Sequence, residues 1–152
     1  MSFCPQDYER FSAIVDDSIA FNLSRRCRFD PRLYDIASYA KEFCTVRVNL
    51  GRQVGKTRWI LENSSAGDLI VLANQRACND LVQRFVNRTL WHHPNREVSF
   101  INGTILGGCL ERGSKLVNRR YDRILCDEFQ GHPGDVYRAL AKDPTQTFLF
   151  FG

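Results

Sequence analysis

Three short stretches, LIVLA at 69–73, ILC at 124–126 and FLFF at 148–151, are apolar without the alternation of a half-exposed strand. A strand reads this way when both its faces are buried, and both are buried when helices cover a parallel sheet. Helical patterns separate the three runs. Residues 75–90 (QRACNDLVQRFVNRTL) place Ala77, Leu81, Val82, Phe85 and Val86 on one face, and VYRALAKD precedes the last run. Strands alternating with helices predict an α/β chain with a mostly parallel central sheet flanked by helices. TVRVNL at 45–50 is β-branched and alternating, a further strand, and TRWILENSS after it is a short helix. In EVSFINGTILGG the pair Asn102-Gly103 lies between alternating apolar residues, which predicts a β-hairpin at a sheet edge. Residues 110–120 are polar and basic and take no assignment. Upstream, Tyr8, Phe11, Ile14, Val15, Ile19 and Phe21 fall at helical spacing between Pro5 and Asn22. Asp30 and Pro31 then form a cap and first turn for a second helix running to Phe43.

At 152 residues the chain is long enough for one domain with a real core, residues 1–43 forming a helical segment ahead of a core at 44–152. Its 43% hydrophobic and 25% charged residues exclude a disordered polymer. No apolar run approaches the roughly 20 residues of a membrane span. MSFCPQDYERFSAIVDD carries acids where a secretory leader has a basic start and an apolar stretch, so a cytoplasmic protein is expected. The six cysteines, at 4, 27, 44, 78, 109 and 126, form no CxxC pair and match no zinc spacing. Cys44, Cys78 and Cys126 lie in or beside apolar runs and read as small buried hydrophobes. His92 and His93, before Pro94, read as turn residues. The net charge of +4 permits a nucleic-acid partner without requiring one. Arg25, Arg26 and Arg28, with Arg119 and Arg120, are the candidates for phosphate-backbone contacts.

Between the TVRVNL strand and its following helix lies GRQVGKT. A phosphate cradle needs a loop that turns its N–H groups inward, a lysine that reaches the outer phosphates, and a hydroxyl for Mg²⁺. Gly55, Lys56 and Thr57 supply that end of the set, at the start of a helix whose dipole favours anions. Leu50 stands where the full pattern has glycine, and Gly51 follows one residue late. Downstream, RILC runs directly into Asp127 and Glu128. An acid at the end of a buried strand can hold a magnesium ion through its water shell. A second acid beside it can orient or deprotonate an attacking water.

Strand, RQVGKT loop, helix and an acid-acid strand together resemble the additional-strand class of P-loop NTPases. More narrowly, R-Q-x-G-K-T is similar to the variant loop of viral large terminase subunits, the motors that package DNA. The order VSFINGTILGG, Arg112-Gly113 and RILCDEF resembles the same ATPase domains, and LIVLANQRACNDLV resembles a segment of both terminases and superfamily 2 helicases. The likeness spans about residues 31–152. It implies a three-layer P-loop fold, with the final strand between the loop strand and the acidic strand. It also implies binding of ATP and Mg²⁺ by Gly51, Arg52, Gln53, Val54, Gly55, Lys56 and Thr57. Thr57 and Asp127 then serve the metal and Glu128 is the catalytic carboxylate, assisted by Lys56. Arg52 would reach the γ-phosphate, unless it is only a surface arginine on a permissive loop.

The resemblance also implies a hydrolase acting on nucleic acid, DNA above all, in the cytoplasm of a host cell. Two departures stand out. DPRLYDIA contains no glutamine to read adenine, and Gly152 closes the chain where the class has a further strand. The loop strand's outer edge would then fall to the N-terminal helices, a neighbouring subunit or a viral partner protein. Two other readings remain: a nucleotide-binding module with little turnover in a larger assembly, and a kinase for a small acceptor.

Overall fold

The computed structural model of the protein describes residues 5–51, 55–89, 99–102 and 115–152. In chain order the elements are α1 (Pro5–Arg26), a 3-10 turn (Pro31–Leu33), α2 (Ile36–Phe43), β1 (Thr45–Val48), α3 (Lys56–Asn63) and β2 (Asp68–Leu72). They continue with α4 (Gln75–Thr89), β3 (Ser99–Asn102), α5 (Lys115–Asn118), β4 (Arg123–Asp127), α6 (Pro133–Leu140) and β5 (Thr147–Phe151). The five strands form one sheet in the order β1-β5-β4-β2-β3, every neighbouring pair parallel.

The register explains why the strands are apolar throughout. Val46, Leu149, Leu125, Ile70 and Phe100 align across all five strands, and the next row is Arg47, Phe150, Cys126, Val71 and Ile101. Successive residues of a strand face opposite sides, so the first row packs under α1, α3 and α4 with Phe11, Trp59 and Leu81. From the second row, Phe150, Cys126, Val71 and Ile101 pack with Ala40 of α2, Val117 of α5 and Val136 and Leu140 of α6. Each fully buried Leu, Ile or Phe of these layers contributes roughly 1.5–3 kcal/mol by leaving water. The chain is thus α/β, an all-parallel sheet with helices on both faces.

The second arm of the expected edge hairpin falls on residues 103–114, which lie outside those described. Among the described strands β3 is the outermost on this side, parallel to β2. β5 lies between β1 and β4, as expected of the final strand. β1 forms the other edge. α1 packs beside it, and Asn22 donates to the Phe43 carbonyl at 2.8 Å.

α1 runs four residues beyond Asn22, and only part of the expected stripe faces inward. Tyr8, Phe11 and Val15 are buried with Ile19 against them, whereas Phe21 is 67% exposed and Ile14 also faces out. The second helix is corrected too. Asp30 caps only the 3-10 turn, accepting from the Arg32 N–H; Tyr34 is extended, and Asp35 caps α2 through the Ser38 N–H at 2.9 Å. Two aspartates compete as caps, and the nearer one wins the longer helix. Cys44, Cys78 and Cys126 are buried free thiols; burial raises the pKa of each, most strongly for Cys126. No helix among the described residues is long and apolar enough to cross a membrane.

Polar ties close the sheet at the N-terminal ends of its strands. Asp68 is buried and accepts from Arg123, its register partner on β4, and from the Ser65 N–H. Gln146 is fully buried with both ends of its amide satisfied. It accepts from the Lys142 and Asp143 N–H groups and donates to the Tyr121 and Leu140 carbonyls.

Candidate functional site

All strands being parallel, the segments leaving β1 and β4 emerge at the same end of the sheet, where ligands of open α/β sheets bind. Gly51 and Gly55 bracket the loop after β1, and both adopt left-handed backbone, φ 87° and 96°. A side chain would strain both. Gly55 leads into α3, whose ladder begins with the Trp59 N–H donating to the Gly55 carbonyl at 2.8 Å. Lys56 and Thr57 are therefore the first two helical residues. Arg52, Gln53 and Val54 lie outside the described residues.

Lys56 is 8% exposed, unusual for a lysine. Its ammonium lies 3.4 Å from Glu128 Oε1 and donates to the Gly152 backbone oxygen. Glu128 follows β4 in left-handed backbone at φ 51°, the one non-glycine among the described residues to do so. Such a conformation costs of order 1 kcal/mol and is a mark of sites where geometry is enforced. It is held here by the Glu128 N–H donating to the Phe151 carbonyl at 2.9 Å, while the Gly152 N–H donates to the Val48 carbonyl at 3.1 Å. The ends of β1, β4 and β5 are thereby joined at one point, with Lys56 and Glu128 above it.

Asp127 closes β4 in register with Leu72 and Phe151. Burial, and secondarily the Glu128 carboxylate, push its pKa up to about 6, and Lys56 opposes the shift. Its carboxyl makes no hydrogen bond or ion pair among the described residues, and neither does the Thr57 hydroxyl. A half-buried acid with an acid neighbour and no hydrogen-bond partner among the described residues is suited to a cation. Among the described residues no three His, Cys, Asp or Glu side chains group as metal ligands. A cation here would complete its shell with water and ligand oxygens, as Mg²⁺ does.

Two clefts open on either side of Glu128. One, of about 370 Å³, is lined by Asn49, Gly51, Lys56, Glu128, Gln130 and Gly152 among others. The second, of about 210 Å³, lies between α3, β4 and α4, with Thr57, Asp127 and Glu128 facing Asp80 and Arg84. The sequence-predicted Lys56, Thr57, Asp127 and Glu128 are brought together. Asn49, Gln130, Asp80 and Arg84 escape the sequence reading, the last two because the α4 pattern draws attention to its apolar face. Their signal is positional: Ala77, Asp80, Leu81 and Arg84 recur at the i, i+3, i+4, i+7 spacing of one helix stripe.

The candidate nucleic-acid arginines lie at the opposite end of the sheet. Arg26 donates to the Gln146 and Thr145 carbonyls at 2.8 and 3.2 Å. Arg120 pairs with Asp122 and Asp143 and donates to Thr145 Oγ1, and its hydrogen bonds hold the Asp143 carboxyl down at about 2. Arg25 stacks on Phe29 and Arg119 on Tyr121, while Arg28 is exposed. Five-residue strands separate this end from Lys56 by roughly 16 Å.

Comparison with family models, with curated proteins and with solved structures returns no match for this chain.

Proposed function

We propose that the protein is a Mg²⁺-dependent P-loop nucleoside triphosphatase, with ATP as substrate, of the kind that works on nucleic acid in viral packaging or replication. The observation that carries this reading is the meeting of Lys56 and Glu128, 72 residues apart in the chain, beside Thr57 and an otherwise unpartnered Asp127. The positive end of a helix, a buried ammonium and two carboxylates around two clefts that share Glu128 match the charges of a triphosphate and its metal.

In this reading Lys56 binds the outer phosphates, and Thr57 and Asp127 hold the magnesium ion, which neutralises phosphate charge when bound. The Lys56 ammonium is engaged by Glu128 and Gly152 in the free protein. Phosphate would draw it away, leaving the Glu128 carboxylate free to take a proton from water attacking in line. Arg52, inside the loop, would stabilise charge on the transferred group. The nucleic-acid role rests on the order of the motifs and on Arg25, Arg28 and Arg119; Arg26 and Arg120 have structural work. The N-terminal helices, a second copy or a viral partner remain the candidates to cover the β1 edge, and a host-cell cytoplasm is the expected setting.

A binding module with little turnover is the second reading, favoured by the Lys56–Glu128 contact, which occupies the ammonium in the free protein. Phosphate release from ATP and Mg²⁺, with and without DNA, separates the two. Lys56→Ala at the parental rate would refute hydrolysis at this site.

A further inference from the structure

Arg84 is the feature of the site that this assignment leaves unused. It lies on α4, on the stripe Ala77, Asp80, Leu81, Arg84 that lines the cleft opposite Thr57, Asp127 and Glu128. Asp80 stands one turn before it, at the i, i+4 spacing that commonly gives an ion pair on a helix surface. No such pair forms, and neither residue has a hydrogen bond or salt bridge among the described residues. The Arg84 side chain is exposed and, like those of Arg10, Arg28 and Arg76, is unpaired among the described residues. What sets it apart is its place in the lining of the cleft beside the two acids at the end of β4.

The cleft it faces contains three carboxylates, Asp80, Asp127 and Glu128, against one guanidinium. Bound Mg²⁺ would offset two of those charges and leave Arg84 as the one side-chain cation in the lining of this cleft for an anionic ligand. A guanidinium is always charged and offers a planar fork that matches two phosphate oxygens. We infer that Arg84 contacts the γ-phosphate and stabilises the negative charge that develops during its transfer, a catalytic cation supplied by the chain itself from α4. This rests on the triphosphatase reading and adds a residue to it.

The test measures phosphate release, ADP affinity and affinity for ADP with aluminium fluoride in the parent, Arg84→Ala and Arg84→Lys. Arg84→Ala is expected to lower the rate about 10²–10³-fold. Its affinity for ADP–aluminium fluoride should fall by a similar factor while its affinity for ADP alone stays within about twofold. Arg84→Lys should recover only a minor part, because a point charge lacks the fork. A merely structural arginine would change ADP and ADP–aluminium fluoride binding together, and that result overturns the assignment. So does an Arg84→Ala protein that keeps its basal rate and loses only stimulation by DNA, which would make Arg84 a polymer contact. A parent that neither binds nor hydrolyses ATP overturns the triphosphatase reading and this inference with it. An active parent with an equally active Arg84→Ala overturns this inference alone. Should Arg84→Ala lose its thermal transition, Arg84→Gln carries the same test.

Discussion

Replacing Asp127 by asparagine should stabilise the nucleotide-free protein, and only where the acid is ionised. Its pKa stands at about 6 in the folded state against 3.8 for the free side chain. A difference of about two units corresponds to roughly 3 kcal/mol at most. Because the carboxyl reaches water through the cleft, we take about 1–2 kcal/mol as the effective penalty. The sign follows from which state keeps its proton. Below pH 3.8 both states are protonated and Asp127 contributes no difference. As the pH rises from 3.8 to about 6 the unfolded chain ionises first, and folded stability declines. Above that range both are ionised and the full penalty persists. The amide of the Asp127→Asn variant carries no charge at any pH and escapes the penalty. Thermal unfolding of Asp127→Asn should therefore match the parent near pH ~3.5 and exceed it near pH ~8 by roughly 2–8 °C, for a chain of this size. Adding Mg²⁺ and ATP should reverse the ranking, since binding stabilises only the protein that binds. A variant less stable than the parent at the alkaline end, or one with the same gain at both pH values, would refute the argument that Asp127 is a strained, cation-seeking acid.

Glu128→Gln should retain ATP binding and lose phosphate release by about 10²–10⁴-fold, measured by nucleotide fluorescence and a coupled phosphate assay. Asp68→Ala, which leaves Arg123 without its register partner, should cost about 2–4 kcal/mol in urea unfolding. The double variant Asp68→Ala/Arg123→Met should cost less than the single one. Gln146→Ala deprives two N–H groups and two carbonyls of their buried partners and should cost about 2–4 kcal/mol by the same measurement.

The sheet was legible because its chemistry is local. LIVLA, ILC and FLFF have no polar face, so each had to lie between helices, and the strand-helix alternation made them parallel. The convergence of Lys56, Thr57, Asp127 and Glu128 was legible for the same reason: each closes or follows a strand at one end of that sheet. What stayed hidden depends on contacts distant in sequence. Arg26 and Arg120 look like free surface cations until residues 143–147, more than 20 positions away, arrive to receive them. Ile14 and Phe21 fit the helical stripe of α1, yet the face that turns inward is chosen by Trp59 and Phe151, which spacing within α1 cannot reveal. The start of α2 was misplaced because Asp30 and Asp35 are both sound caps. Lys115–Asn118 is too short for periodicity to register. Arg84 was overlooked because its meaning comes from Asp127, 43 residues later.

β5 has both of its ends under load. At its foot Arg26 grips Thr145, Gln146 and Thr147, and at its head Phe151 and Gly152 receive Glu128 and Lys56. The strand is enclosed along its whole length and flanked by β1 and β4. One continuous buried strand thus joins the residues that anchor the tail of α1 to those that receive the lysine, so the two ends of the sheet share a single backbone.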